Sequence, residues 1–324
     1  MTAESVNVEH WSGNMHDAGH AERSDLQGRI HAVLAEKGAL LGKELCAILD
    51  GEPYLAVWQA CFADGAIQIS HFSRYYLRFD ITREDMVRLS PSILRDFLSF
   101  TLLSLPGQRE AVIDRQVELS NRHREISREK TRIAWTVLIE TLASLAPGED
   151  AKLCAFLAGD LAYFLGHSEP REIKATGEMV RGSDIDIIIV HDGLSEESVA
   201  AINSTMTQSK HYYLSHPGWR QELDFIVKPI DRMFDQFNYS NIHEKIASKI
   251  VYESLFLAGS VALYGMVMDE MRASGAGAKI EADFEYGLAD RKTAMRELLQ
   301  ADPYELDANT QSLFYFSQER LEFV

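Results

Sequence analysis

The sequence predicts an α+β (α/β) protein in which a mainly helical N-terminal half is followed by a C-terminal half that alternates strands and helices. Three observations carry the prediction. Apolar residues recur at helical spacing through 25–62, no Gly or Pro interrupts 108–145, and two short runs, 185–190 and 222–227, are dominated by β-branched and other apolar residues. The chain has 324 residues, 46% hydrophobic and 25% charged. That is enough for two or three domains with real cores, and it excludes disorder, collagen and coiled-coil arrays as the main architecture.

Residues 1–23 hold His10, His16 and His20 among Ser, Gly and Asn, with nothing periodic to fix them, so a flexible leader is expected rather than a metal site. Helices follow at 25–37, 41–49 and 54–62, punctuated by Gly38, Gly51 and Asp64-Gly65. Residues 67–70 alternate and 75–79 are aromatic, so a β-hairpin turning at 71–74 is expected. Three short helices and a hairpin are the order of a winged-helix-like module, and Ser90-Pro91-Ser92 reads as a helix start. The long helix at 108–145 ends at Ala146-Pro147-Gly148, with a domain boundary near Arg132. Beyond it the expectation is a strand at 153–157, a helical turn at 161–165, a polar insert through Lys174, and a strand at 185–190. A helix at 195–210, a strand at 222–227, a helix at 243–257, a short strand at 261–264 and a helix at 266–273 follow. The expected division is 1–23 leader, 24–132 helical module, 133–275 second domain and 276–324 helical extension.

Thirty-two Lys and Arg face 49 Asp and Glu, a net charge of -17, which argues against a general nucleic-acid coat protein. Residues 71–133 run against this trend with twelve basic and nine acidic residues. There Arg74, Arg78, Arg83, Arg88 and Arg95 admit two readings: a nucleic-acid face, or ion pairs with Asp80, Glu84, Asp85 and Asp96. Cys46, Cys61 and Cys154 are too scattered for a metal or redox motif and are expected as buried, reduced thiols. Neither a signal peptide nor a membrane span is expected, and a cytoplasmic location follows.

The chemistry concentrates at Gly182-Ser183-Asp184-Ile185-Asp186, which opens the apolar strand 187–190. Residues i and i+2 of a strand point to one face, so Asp184 and Asp186 stand together, and two like charges in one place call for a cation. Hard divalent ions take carboxylate oxygens, and two Mg²⁺ ions about 4 Å apart can grip a nucleoside triphosphate for in-line displacement. Asp224, in the second apolar run, adds a third acid if the two strands are neighbours. The bland alternative is a pair of solvated aspartates capping a core strand.

These residues resemble the nucleotidyltransferase superfamily of the DNA polymerase β type, including its minimal and antibiotic-modifying members, over about 133–275. Its pattern is a strand ending in Gly-Ser or Gly-Gly, a short helix, a second glycine, a DxD strand and a third acid on a neighbouring strand. Residues 153–158 match the first strand, Gly159-Asp160 the Gly-Ser position, and Gly177-Glu178 the second glycine. Asp184 and Asp186 match the DxD, Asp224 the third acid, and 250–265 the closing helix and strand. The resemblance implies a mixed sheet with helices on one side. It implies two Mg²⁺ ions on Asp184, Asp186 and Asp224, and a nucleotide against Gly159, Asp160, Gly182 and Ser183. Lys245 and Lys249, on one face of the following helix, are in position for the triphosphate, though a solvated helix face is an equal reading. The sequence departs from the pattern twice. Asp160 replaces a small residue that meets phosphate, and sixteen residues separate it from Gly177 where about three are usual. A phosphate loop rebuilt around Arg171, Lys174 or Arg181 is one consequence. Tyr212, Tyr213, His216 and Trp219 are read as core packing or as the border of a base or acceptor pocket.

The reaction so implied moves a nucleoside monophosphate from an NTP, with ATP favoured for abundance, to a hydroxyl of a small molecule, a protein or RNA. The alternative is a degenerate member acting as a DNA-binding regulator or antitoxin-like module.

Overall fold

The structure is a computed structural model that describes residues 17–79, 87–173, 177–316 and 319, with side chains from residue 23 onward. Arg83, Asp80, Glu84, Asp85, Lys174, His10 and His16 lie outside the described residues. The fold is α+β. Two compact units are present, one formed by 1–76, 89–120 and 287–324, the other by 77–88 and 121–286. The boundary inside the long helix falls before the expected one, and the last segment of the chain belongs with the first unit instead of forming an extension of its own.

The first part of the chain runs α1 (Asp17–Lys37), β1 (Leu40–Leu41), α2 (Gly42–Ile48), α3 (Tyr54–Phe62), β2 (Gln68–His71), β3 (Tyr76–Phe79), β4 (Val87–Ser90), α4 (Ile93–Phe100) and β5 (Thr101–Ser104). Helix α1 begins at Asp17, so the expected leader is helical over its last residues. The 67–79 hairpin does not form. Strand β2 pairs antiparallel with β5, in the sheet order β1-β5-β2, and β3 pairs with β4. β5 is buried along its whole length, and this central strand takes the edge that a local turn would otherwise have offered to β3. Ser92 caps α4 as expected, accepting a hydrogen bond from the Arg95 amide at 3.1 Å.

The core of this unit gathers Ile30 and Leu34 of α1, Leu55 and Trp58 of α3, Leu94 and Phe97 of α4, and Leu298 from near the C-terminus. Gln59, buried among them, donates to the carbonyls of Leu298 at 2.6 Å and Ala301 at 2.8 Å, which removes the cost of burying its amide. Cys46 and Cys61 are buried and free, as is Cys154 of the other unit, and burial pushes the Cys46 and Cys154 thiols up to about 12.

Asp96 is the charged centre of this unit. It receives Tyr75 Oη and Arg291 Nη2, each at 2.8 Å on Oδ2, and pairs with His71 Nδ1 at 2.8 Å on Oδ1. Arg95 pairs with Glu319 at 2.8 Å, while the ion-pair partners of Asp96 are His71 and Arg291. Burial raises the Asp96 pKa, but His71, Arg291 and Tyr75 outweigh it and leave the carboxyl below the usual aspartate value. A depressed acid contributes stability above its unfolded pKa and loses it as pH falls through the folded one. Asp96→Asn is therefore expected to cost about 3 kcal/mol at pH 7, because it strands Arg291 in the core. In urea melts the loss shrinks towards pH 3, and a difference independent of pH contradicts the assignment.

The second part continues with α5 (Arg109–Ala143), β6 (Leu153–Ala158), β7 (Pro170–Ile173), β8 (Glu178–Arg181), β9 (Ile185–His191), α6 (Glu196–Ser215), β10 (Leu223–Pro229), α7 (Ile230–Gln236), α8 (Ile242–Tyr252), β11 (Leu255–Gly259), α9 (Val261–Ala273), α10 (Ala276–Gln300) and α11 (Ala308–Phe314). The main sheet has the order β10-β9-β6-β11, with β10 parallel to β9, and β6 antiparallel to both β9 and β11. One face, carrying Leu153, Ala155, Leu157, Ile185, Ile187 and Ile189, packs on Val137 of α5 and on Ile202 and Met206 of α6. The other is covered by α7, α8 and α9, with Phe156 5.5 Å from the Tyr264 ring. Helices thus lie on both faces, where one was expected, and the wholly buried β6 reflects that double cover.

The expected polar insert carries β7, which pairs antiparallel with β8. The helix expected at 243–257 stops at Tyr252, and the strand expected at 261–264 lies at 255–259 instead. Ser260 accepts from the Leu263 amide at 3.2 Å and caps α9, so 261–264 is the first turn of that helix.

Candidate active site

Strand pairing sets the acids in one row. Asp186 is the register partner of Asp224 on the parallel neighbour β10 and of Ala158 on the antiparallel neighbour β6. Gly159 and Asp160, which follow β6, therefore arrive at the same end of the sheet as Asp184, which precedes β9. Asp184, Asp186 and Asp224 share strand parity and lie on the face covered by α7–α9.

Two glycines make the approach possible. Gly159 has φ +73°, and a Cβ there would stand 2.6 Å from Asp186 Oδ2. Gly182 has φ +63°, and a Cβ would meet the His167 carbonyl oxygen. Around Gly182 the backbone is pinned, its amide donating to Glu169 O at 2.9 Å and the Ser183 amide to His167 O at 3.2 Å. Ser183 Oγ accepts from the His167 amide at 3.0 Å and donates to Asp160 Oδ2.

Burial, with Asp160, Asp224 and Glu222 adding to it and Lys249 opposing, raises Asp186 to about 6. The carboxylates are balanced by basic side chains. Arg171 of β7 pairs with Asp184 and, at 2.5 Å, with Glu222, while its Nε donates to Gly182 O at 3.0 Å. Lys210 of α6 pairs with Asp224. Among the described residues, no three His, Cys, Asp or Glu side chains are gathered as a ready coordination shell. The donor set nonetheless suits a hard divalent ion: oxygen ligands only, with Asp186 and Asp224 in adjacent register and crowded enough to raise Asp186, a repulsion that a cation would relieve. Arg171 and Lys210 each engage one oxygen, Oδ1, of Asp184 and Asp224.

The two lysines of α8 have separate partners. Lys249 pairs with Glu253 at 2.7 Å, in a place where its charge acts on Asp186. Lys245 pairs with Asp283 at 3.3 Å and lies over the Tyr239 ring, 5.2 Å from its centroid. Gly177 sits in the β7–β8 turn, where its amide donates to Ile173 O at 2.8 Å. Tyr213 is buried against α5 and the sheet, while Tyr212 and Trp219 are exposed on either side of it, with Tyr213–Trp219 centroids 5.6 Å apart.

Sequence reasoning missed Lys130. Its Nζ is buried on α5 and donates to Arg181 O and Ser183 O, each at 2.7 Å, and to Gln221 Oε1. Three acceptors and no carboxylate make it a brace between the 181–183 segment and the approach to β10. Burial lowers it to about 8, against a pull upwards from Asp160. His123 Nδ1 bonds Gly166 O at 2.9 Å and Ser127 Oγ accepts from the Gly166 amide at 2.9 Å, so one helix face secures both loops. The signal was available: 123, 127, 130, 134 and 137 follow 3–4 spacing, which places a lysine inside the apolar stripe. Lys130→Met is expected to accelerate amide exchange at Gly182, Ser183 and Ile185 and to cost about 2 kcal/mol by stranding its acceptors. Unchanged exchange there contradicts the bracing role.

Among the described residues, no helix is long and apolar enough to cross a membrane. No family model, curated protein or solved structure matches the chain.

Proposed function

We propose that the chain is a Mg²⁺-dependent nucleotidyltransferase that transfers a nucleoside monophosphate from an NTP, ATP by preference, to an acceptor hydroxyl. The observation that carries the reading is the row formed by Asp186 and Asp224 in register on parallel neighbours, with Asp184 at the strand mouth and Gly159 packed against Asp186. The sheet β10-β9-β6 presents the first strand, the DxD strand and the third-acid strand in adjacent positions, which supports the nucleotidyltransferase-fold reading. In the other unit, three helices, α1 to α3, lie beside a small sheet of order β1-β5-β2, which supports a winged-helix-like module.

Asp184 and Asp186 would hold both ions, and Asp224 the one at the acceptor. Ions held by these acids would supply charge neutralisation at the α-phosphate and a lowered pKa for the acceptor hydroxyl. Asp224 takes the hydroxyl proton, the acceptor oxygen bonds to Pα, and the Pα–O bond to the β-phosphate breaks to release pyrophosphate. Lys130 and Gly182 keep Asp184 at the mouth, and Lys249 offsets the charge at Asp186.

A binding-only protein is the second reading, favoured by Asp160 in the phosphate-contacting position and by the ion pairs on Asp184 and Asp224. Thermal melts separate the two. Mg²⁺ with ATP stabilises the parent under the first reading, and this gain is absent in Asp184→Asn. An equal gain in both removes the acids from the binding site.

A further inference from the structure

The proposed site needs a cation for the polyphosphate as well as for the metal, and most nearby basic groups are committed elsewhere. Lys130 is spent on carbonyl oxygens, Lys245 on Asp283 and Lys249 on Glu253. Asp160, bonded by Ser183, adds negative charge where a phosphate has to lie. Arg171 differs in kind. Its side chain is 20% exposed, it is anchored by Gly182 O at 3.0 Å and by Glu222 at 2.5 Å, and its remaining partner, Asp184, is a metal ligand in the proposed site.

Resting on that site, we propose that Arg171 is its triphosphate-binding residue, stored on Asp184 until a metal–nucleotide arrives. A divalent ion on Asp184 takes the oxygen that Arg171 occupies. The guanidinium keeps Gly182 O and Glu222, so it stays at the site with freed N–H donors. The anion arriving with the metal is the partner such a planar fork fits, and lysine cannot reproduce its paired donors. Glu222 is then the anchor of Arg171 and not a spare metal ligand. The same exchange makes Arg171 a competitor of bare metal and a partner of metal–nucleotide, so its removal shifts the two affinities in opposite directions.

The test uses the full chain and two probes, Mn²⁺ alone followed by its paramagnetic resonance, and a non-hydrolysable α,β-methylene ATP at fixed Mg²⁺ followed by calorimetry. Arg171→Met is expected to bind Mn²⁺ about 3- to 10-fold tighter, through loss of a competing charge, and the analogue about 10- to 100-fold weaker, through loss of a charge-assisted contact. Arg171→Lys, which keeps the charge and the fold, is expected to fall between parent and Met on both. Unchanged analogue affinity in Arg171→Met overturns the phosphate role, and unchanged Mn²⁺ affinity overturns the storage on Asp184. A parent that binds neither probe overturns the metal–nucleotide site itself, and the role of Arg171 with it.

Discussion

Asp186→Asn is expected to abolish nucleotidyl transfer while raising stability at neutral pH. Asp186 is held at about 6 in the fold, above the ordinary aspartate value near 4, by burial and by Asp160, Asp224 and Glu222. An acid raised in this way binds its proton more tightly folded than unfolded. Stability therefore falls as pH rises from about 4 to 6, and the cost is fully present above 6. Asparagine carries no such charge. Urea midpoints at pH 4.5, 6 and 7.5 are expected to coincide at the acid end and to separate in favour of Asp186→Asn at the neutral end. Parallel pH profiles would show that the neighbouring carboxylates do not act on Asp186.

Asp224→Ala is expected to reduce turnover by about 10³-fold, the scale of a lost general base, while nucleotide affinity changes by only a few fold. Asp184 and Asp186 retain the ion that carries the nucleotide, and Lys210, released from Asp224, adds a nearby positive charge. Steady-state kcat, read beside the analogue affinity, checks the split. If affinity and turnover fall together, Asp224 belongs to nucleotide binding; if neither moves, it is an ordinary strand residue.

Much of the second unit was legible because its strands carry their own pattern. Residues 153–158, 185–191 and 223–229 are apolar runs too short for helices, and each is a strand of the main sheet. The DxD spacing gave one face by parity alone, and the register of Asp224 opposite Asp186 followed from β10 lying beside β9. The errors share a cause in non-local pairing or in a single cap. Nothing near residue 70 announces that β2 pairs with 101–104, and no periodicity distinguishes a strand at 261–264 from a helix turn capped by Ser260. Arg171 was named as one of three candidates for a rebuilt phosphate loop, but only the fold of β7 brings it onto Asp184 and Glu222. Of the arginine cluster, Arg95 pairs with Glu319, Arg83 lies outside the described residues, and 71–133 is divided between the two units.

The central claim is transfer itself, and α-³²P-labelled nucleotides test it most directly. Purified protein is incubated with each of the four triphosphates, Mg²⁺ and cell extract, and both labelled acceptor and pyrophosphate are measured. The proposed chemistry predicts label on an acceptor, with pyrophosphate in equal amount, for the parent and for neither Asp184→Asn nor Asp186→Asn. No label from any of the four nucleotides, or the same label from parent and both variants, contradicts it.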